Sequence, residues 1–247
     1  MAAIDVIDDV IDDEWPGEIG LQRRATNAGL ALGWLSLQCA GQLAGPIGAD
    51  RALLIGTLIG DGSLASCAGQ DGDLFLETVA DTSEELAHAV TGHKSGSLVA
   101  MACQVGAAIA TDDPAILRIA GEFGRHVGIV AQVLNDIAGV DPATADRGTD
   151  LRRRKKTLPV AFALRCGRQE NLDSVQAWAR RGGETSDRDD ELMARAIRDL
   201  GGLHFGWVVA ETHRREALAA LDDLERGAGR AEVRELCHLI PPVKFRE

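Results

Sequence analysis

Small and aliphatic residues recur along most of the chain at helical rather than strand spacing, and glycine, proline and capping residues divide them into segments. Residues 4–13 carry an acidic, apolar pattern that starts abruptly without a cap, which reads as the end of a helix begun further upstream. After a loop at Pro16-Gly17 a helix is predicted over about 24–43, stopped by Gly45-Pro46. The next segment, about 49–79, is helical and expected to be interrupted or kinked by its glycines. Thr82 and Glu85 have the spacing of a capping box and open a short helix to about His93, which puts Lys94 at the start of the helix that follows. From 95 to 110 the residues are small and apolar nearly all round, predicting a helix buried in the bundle centre or at a subunit interface.

Asp113-Pro114 pairs an N-cap with proline at the first helical position and opens a long helix to about 138. Residues 139–156, rich in glycine and charge, are expected to be a loop. Helices are predicted over about 158–167 and 170–181, then, after a polar break at Gly182-Gly183-Glu184, from about 187 through 224. A last one, 231–240, stops at Pro241-Pro242. There are no tandem repeats or low-complexity linkers, and 247 residues suit one core, so the expectation is a single all-α domain over 1–247. The absence of tyrosine and the 4% aromatic content favour helix over sheet.

The formal net charge of −12 argues against nucleic acid or anionic lipid as a partner. Against that background Arg152, Arg153, Arg154, Lys155 and Lys156 form one basic run. Cys39, Cys67, Cys103, Cys166 and Cys237 are far apart and odd in number, the pattern of reduced thiols rather than a disulfide frame or a zinc site. The first residues carry no basic n-region or secretory core, and no stretch of about 18 residues is convincingly apolar enough to cross a bilayer. The expectation is a cytoplasmic protein without a transmembrane segment.

Four constellations carry candidate chemistry. In Asp8-Asp9-Val10-Ile11-Asp12-Asp13, Asp8 and Asp12 lie one helical turn apart, as do Asp9 and Asp13; such pairs suit Mg²⁺ shared with a diphosphate, or else form an exposed acidic helix end. Gln132 and Asp136 share a helix face beside Asn135, a polar trio that either serves a site or caps the helix end. The basic run offers point charges for a polyanion, its alternatives being a solvated loop or a nucleic-acid patch. Lys94, at a helix start, opposes the helix dipole unless an anion binds there; otherwise it is a surface lysine.

Taken together, in this order, these pieces resemble the polyprenyl synthetase (trans-isoprenyl diphosphate synthase) family. Asp8-Asp9-Val10-Ile11-Asp12 is similar to the family's first aspartate-rich motif and Gly69-Gln70-Asp71-Gly72-Asp73-Leu74 to its GQxxDL segment. Lys94-Ser95-Gly96-Ser97-Leu98 matches KTxxL, residues 128–136 match the approach to the second aspartate-rich motif, and Lys155-Lys156-Thr157-Leu158-Pro159 matches KxTLP. The resemblance runs from residue 4 to about 240. It implies the all-α isoprenoid synthase (class I terpenoid synthase) bundle and a Mg²⁺-dependent prenyltransferase that condenses an allylic isoprenyl diphosphate with isopentenyl diphosphate. Asp8, Asp9, Asp12, Asn135 and Asp136 would be the metal ligands; Lys94, Gln132 and Lys155 would contact the diphosphate; Asp8, Asp12 and Lys94 would be catalytic.

The chain departs from the family pattern in three places. Asn135-Asp136-Ile137-Ala138-Gly139 lacks two of the second motif's carboxylates. The arginine pair, Arg23-Arg24, follows a longer insert than expected. The helices that in the family precede the first motif and bind isopentenyl diphosphate are not in this sequence, so the expectation is an N-terminally truncated bundle. The resemblance implies a homodimer, or a heterodimer with another synthase subunit. The alternatives to a synthase are a non-catalytic or regulatory subunit of a heteromeric synthase and another class I terpenoid enzyme. The last fits Asn135-Asp136 but not Gly139 and Ala143, which stand where a cyclase metal motif continues.

Overall fold

The computed structural model describes residues 1–12, 19–141, 149–180, 185–228 and 231–244, and these contain helices and no strand. In chain order they are α1 (Ala2–Ile11), α2 (Ile19–Gln42), α3 (Ala44–Ile47), α4 (Ala49–Thr78), α5 (Glu84–Thr91), a π turn (Gly92–Gly96), α6 (Ser97–Ala110) and α7 (Pro114–Val140). There follow α8 (Thr149–Arg152), α9 (Leu158–Gln169), α10 (Asp173–Arg180), α11 (Asp187–Asp199), α12 (Gly202–Ala228) and a 3₁₀ helix (Ala231–Leu239). The expected breaks at Pro16-Gly17 and Gly182-Gly183-Glu184, and Asp13 itself, lie outside the described residues.

The central element is α7. Asp113 caps it, its Oδ1 accepting from the Ala115 N–H at 2.8 Å, with Pro114 in the first turn where a missing N–H costs nothing. Its apolar residues then meet α12 along two patches: Phe123 and Val127 against Ala217 and Leu221, and Ile129, Val133 and Ile137 against Ala210. Phe123, Val130 and Val133 are fully buried, each worth roughly 1.5–3 kcal/mol. A second core, Val160, Leu164, Trp178, Met193 and Ile197, joins α9, α10 and α11.

The glycines of 49–79 do not interrupt α4, which runs unbroken for 30 residues. They let neighbours in: a Cβ on Gly69 would lie 2.2 Å from the Lys94 backbone nitrogen, and one on Gly62 would strike Met101. Ser66 Oγ completes the contact by donating to the Lys94 carbonyl at 2.8 Å. One helix, α4, is long and apolar enough to cross a membrane, where the sequence reading found none; here it packs on α2, α6 and the π turn.

Lys94 is not at a helix start. The chain passes from α5 through the π turn into α6 without unwinding, so the turn offers no set of free N–H groups, and the anion site expected of a helix N-terminus is not formed there. The cap of α5 is Ser83 rather than Thr82, its Oγ accepting from the Leu86 N–H at 3.2 Å. Only Leu98, Met101 and Ala108 of α6 are buried, since Gly106, Ile109 and Ala110 at its far end face outward. The expected loop at 139–156 begins later, because α7 extends to Val140, and it contains α8. The expected helix through 187–224 is two, divided at Gly201, whose φ of 84° ends α11. All five cysteines are free.

Candidate active site

The last turn of α1 holds Asp8, and Asp12 follows as its C-cap, with the Asp12 N–H on the Asp8 carbonyl at 2.8 Å. This single turn brings both carboxylates to Lys94, whose Nζ lies 3.4 Å from Asp8, 3.3 Å from Asp12 and 3.0 Å from Asp73 of α4. Burial alone would lower the lysine pKa, but Asp73, Asp8 and Asp12 together raise it well above its usual value, so Lys94 stays charged. Burial raises the Asp8 pKa despite Lys94. Burial pushes Asp12 the same way but is outweighed by Lys155, Lys94 and Arg153, which hold it below the usual carboxylate range.

The basic run supplies the rest of that balance, its cations dividing between Asp12 and partners outside the cavity. Lys155 Nζ donates to Asp12 at 2.7 Å and lies 3.7 Å from Asp150; Arg153 lies 3.5 Å from Asp12 and 3.1 Å from Glu77. Lys156 is buried over the Trp178 ring, 5.7 Å from its centroid, where burial and then Arg154 press its pKa down to about 8. Arg152 turns outward to Asp187 and Asp190. The chain achieves this divergence at Arg154, whose left-handed φ of 58° ends α8 and redirects the two lysines inward. With Arg153, Lys155 and Lys156 turned inward onto Glu77, Asp12 and Trp178, the run is neither a solvated loop nor a continuous nucleic-acid patch.

The opposite wall is the last third of α7. Ser95 of the π turn donates to Gln132 Oε1 at 2.6 Å, and Gln132 Nε2 donates to Asp136 Oδ1 at 2.8 Å, which fixes the amide orientation. Asp136 is fully buried. Burial drives its pKa up to about 7, against the Gln132 hydrogen bond and reinforced by Asp150 and Asp73. Between the walls lies a polar cavity of about 80 Å³, lined by Asp8, Asp12, Asp73, Lys94, Gln132, Asn135, Asp136 and Lys155. Asp8, Lys94 and Gln132 also line a second, largely apolar cavity of about 400 Å³ between α1, α4 and α6, walled by Ile4, Ile7, Ile11, Leu74 and Leu98.

Of the residues singled out in the sequence, Asp8, Asp12, Lys94, Gln132, Asn135, Asp136 and Lys155 therefore converge on one cavity, while Asp9 is half-buried on α1 and does not line it. Asp73, Asp150 and Arg153 were not singled out for the site. Asp73 closes the Gly69–Leu74 segment that the family resemblance had quoted, and Asp150 immediately precedes the basic run, so spacing carried a signal for both.

The oxygen donors Asp8, Asp12, Asp136 and Asn135 suit a hard cation such as Mg²⁺. Among the described residues no group of three or more acids, histidines or cysteines is close enough to hold an ion as the side chains stand. The reason is visible in the distances: Lys94 and Lys155 sit where the acids of the first wall converge. By donor type the residues fit the metal, with Lys94 and Lys155 standing between the acids of the first wall.

Residues 3–196 match the polyprenyl synthetase family. A geranylgeranyl diphosphate synthase of Mycobacterium tuberculosis is 30% identical over 164 residues, which are 65% of this chain and 47% of the relative. A geranylfarnesyl diphosphate synthase of Aeropyrum pernix is 32% identical over 190 residues, 74% of this chain and 57% of the relative. The chain thus spans about half the length of the curated relatives it matches. The geranylgeranyl pyrophosphate synthase of Corynebacterium glutamicum, solved with isoprenyl diphosphate and magnesium, superimposes with a TM-score of 0.75 at 23% identity over 96% of this chain and 74% of that one.

Proposed function

The chain belongs to the polyprenyl synthetase family, and from that premise we propose that its cavity binds an allylic isoprenyl diphosphate with Mg²⁺ and transfers the prenyl group to isopentenyl diphosphate. The observation that carries this reading is the adjacency of two spaces: a polar cavity walled by acids and lysines shares Asp8, Lys94 and Gln132 with an apolar cavity of about 400 Å³. That combination suits a molecule with a diphosphate head and a hydrocarbon tail.

The side chains divide the work by charge. Lys94 and Lys155 exchange Asp8, Asp12 and Asp73 for the diphosphate oxygens, and Gln132, oriented by Ser95, donates to the same group. Asp8, Asp12, Asn135 and Asp136 are then left to hold the metal, which when bound supplies Lewis-acid charge to the departing diphosphate. Ile4, Ile7, Ile11 and Leu98 keep water from the allylic carbon. The allylic C–O bond breaks, its electron pair leaving with the diphosphate; the isopentenyl double bond forms the new C–C bond, and a proton is lost. Two copies of the chain, or one with another synthase subunit, form the working unit in this reading.

A second reading follows from Asn135 and Gly139 on α7, which leave that wall with a single carboxylate, Asp136, where the resembled motif has three. A non-catalytic subunit of a heteromeric synthase would retain the cavity and bind allylic diphosphate without turnover. Incubation with radiolabelled isopentenyl diphosphate and geranyl, farnesyl or geranylgeranyl diphosphate, with and without Mg²⁺, separates the two. The synthase reading expects Mg²⁺-dependent elongation that Asp8→Ala reduces at least a hundredfold. Saturable binding of farnesyl diphosphate by folded protein with no elongation moves the assignment to the accessory subunit.

A further inference from the structure

Away from the cavity, three histidines from three helices meet end to end. His88 Nε2 of α5 lies 2.7 Å from His213 Nε2 of α12, and His213 Nδ1 lies 2.8 Å from His126 Nδ1 of α7. The His88 and His213 rings stack with centroids 5.0 Å apart, and those of His126 and His213 are 5.1 Å apart and tilted. Both nitrogens of His213 are therefore committed, and all three rings are half-buried. The resemblance to known sequences assigned nothing to these residues, and the cavity does not include them.

We propose that His88, His213 and His126 form a proton-operated clamp that holds α5 and the Lys94 turn against α7 and α12 while the imidazoles are neutral or singly protonated, and releases them when a second proton arrives. Each N···N contact needs one N–H facing one bare nitrogen. Three neutral rings satisfy both contacts, and so does one added proton, with His213 donating to both neighbours. A second proton leaves only one bare nitrogen, so one contact must set N–H against N–H at under 3 Å.

The clamp lies directly behind the site. His88 precedes the π turn by one helical turn, and Arg125, adjacent to His126, has its Nη1 3.4 Å from the Gly92 carbonyl, while its own carbonyl backs Gly96. The charges that bear on the rings are Arg125 and Glu122 from α7 and Glu216 from α12. Glu122 is itself paired with Arg118, and the following charged groups on the surrounding elements are paired away from the rings. Glu84 of α5 pairs with Arg165 of α9, and Glu211 of α12 with Arg214 and Arg215. Asp73 and Glu77 of α4 pair with Lys94 and Arg153, and Arg234 of the 3₁₀ helix pairs with Asp222 and Glu225. His93 of the turn bonds the Ala89 carbonyl. Burial, with Arg125 beside it, lowers the pKa of His88; burial, followed by the neighbouring rings, takes His213 down to about 4. Depressed imidazoles favour the folded state above about pH 6.5 and cease to as pH falls through their folded values.

Hydrogen exchange of residues 84–96, corrected for intrinsic rates, tests this at pH 7.5 and 4.5 in the full chain and in His213→Gln and His126→Gln. The wild type is expected to lose at least tenfold protection there on acidification; His213→Gln, which removes the ring common to both contacts, less than threefold; and His126→Gln, which keeps the His88–His213 contact, an intermediate amount. An equal loss in the variants, or none in the wild type, overturns the clamp. Should the variants not fold, imidazole titration of the wild type by NMR decides: independent midpoints near the free value overturn it, depressed and coupled ones support it. Neither result bears on prenyl transfer.

Discussion

Among the described residues Asp136 carries its carboxyl into the protein with one hydrogen bond, from Gln132, and no direct cation, and burial raises its pKa to about 7. A carboxylate whose folded pKa lies above its unfolded value of 3.8 favours the folded state at low pH, and that contribution is lost as pH rises toward 7. In metal-free buffer Asp136→Asn is therefore expected to stabilise the protein by up to about 4 kcal/mol at pH 7, at 1.36 kcal/mol per pKa unit, and to change little at pH 4. Urea unfolding at both pH values checks the difference. Lys94 has the opposite circumstance, one buried cation among three acids. Lys94→Met leaves Asp8 and Asp73 uncompensated, Asp12 keeping Lys155 and Arg153, and is expected to cost about 3 kcal/mol at pH 7, with part of the loss recovered on acidification as the two acids protonate. A variant as stable as wild type at pH 7 would show that water alone satisfies Asp8 and Asp73.

At the scale of the elements, what holds Lys94 in place is the closeness of α4 to the π turn, and that closeness depends on one missing methyl. Gly69→Ala would put its Cβ 2.2 Å from the Lys94 backbone nitrogen, a contact with backbone that no rotamer relieves. Overpacking of this kind is expected to cost about 2–3 kcal/mol. Gly72→Ala, whose Cβ would meet only the Val90 methyl at 3.0 Å, is expected to cost less; thermal unfolding of the pair ranks them. Helices with capping and periodic signals, α7 above all, were legible in the sequence, since Asp113, Pro114 and a long apolar stripe all point one way. The role of Gly69 was not, because a glycine inside a helix looks like a kink until the neighbour it admits is known. The same holds for Lys94: its importance showed in its motif, but the continuity of α5 and α6 depends on tertiary packing around Gly92 and Gly96. Seven of the eight residues singled out for the site share the cavity, whereas Asp73 of α4 and Asp150 of α8 needed the fold to bring them in.

For the whole molecule, the ion pairs of the cavity set the order in which ligands gain affinity. Mg²⁺ alone meets acids already neutralised by Lys94 and Lys155, and diphosphate alone meets lysines already held by acids and a chain of net charge −12. In the proposed function the two, supplied together, would exchange partners with the side chains, each internal pair being replaced by a ligand pair. Folded-state stabilisation by a ligand follows its occupancy, about 2.7 kcal/mol at a hundred times the dissociation constant. At roughly 2–4 °C per kcal/mol for a chain of this size, inorganic pyrophosphate with Mg²⁺ is expected to raise the melting temperature by about 5–10 °C. Either alone is expected to raise it by under about 2 °C. Lys155→Ala separates this exchange from simple uptake of a preformed Mg²⁺–pyrophosphate complex: it frees Asp12 and removes a diphosphate partner, so the response to Mg²⁺ alone should grow while the joint response shrinks. If both responses keep their wild-type size, the lysine is a structural counter-ion to Asp12 and takes no part in ligand exchange.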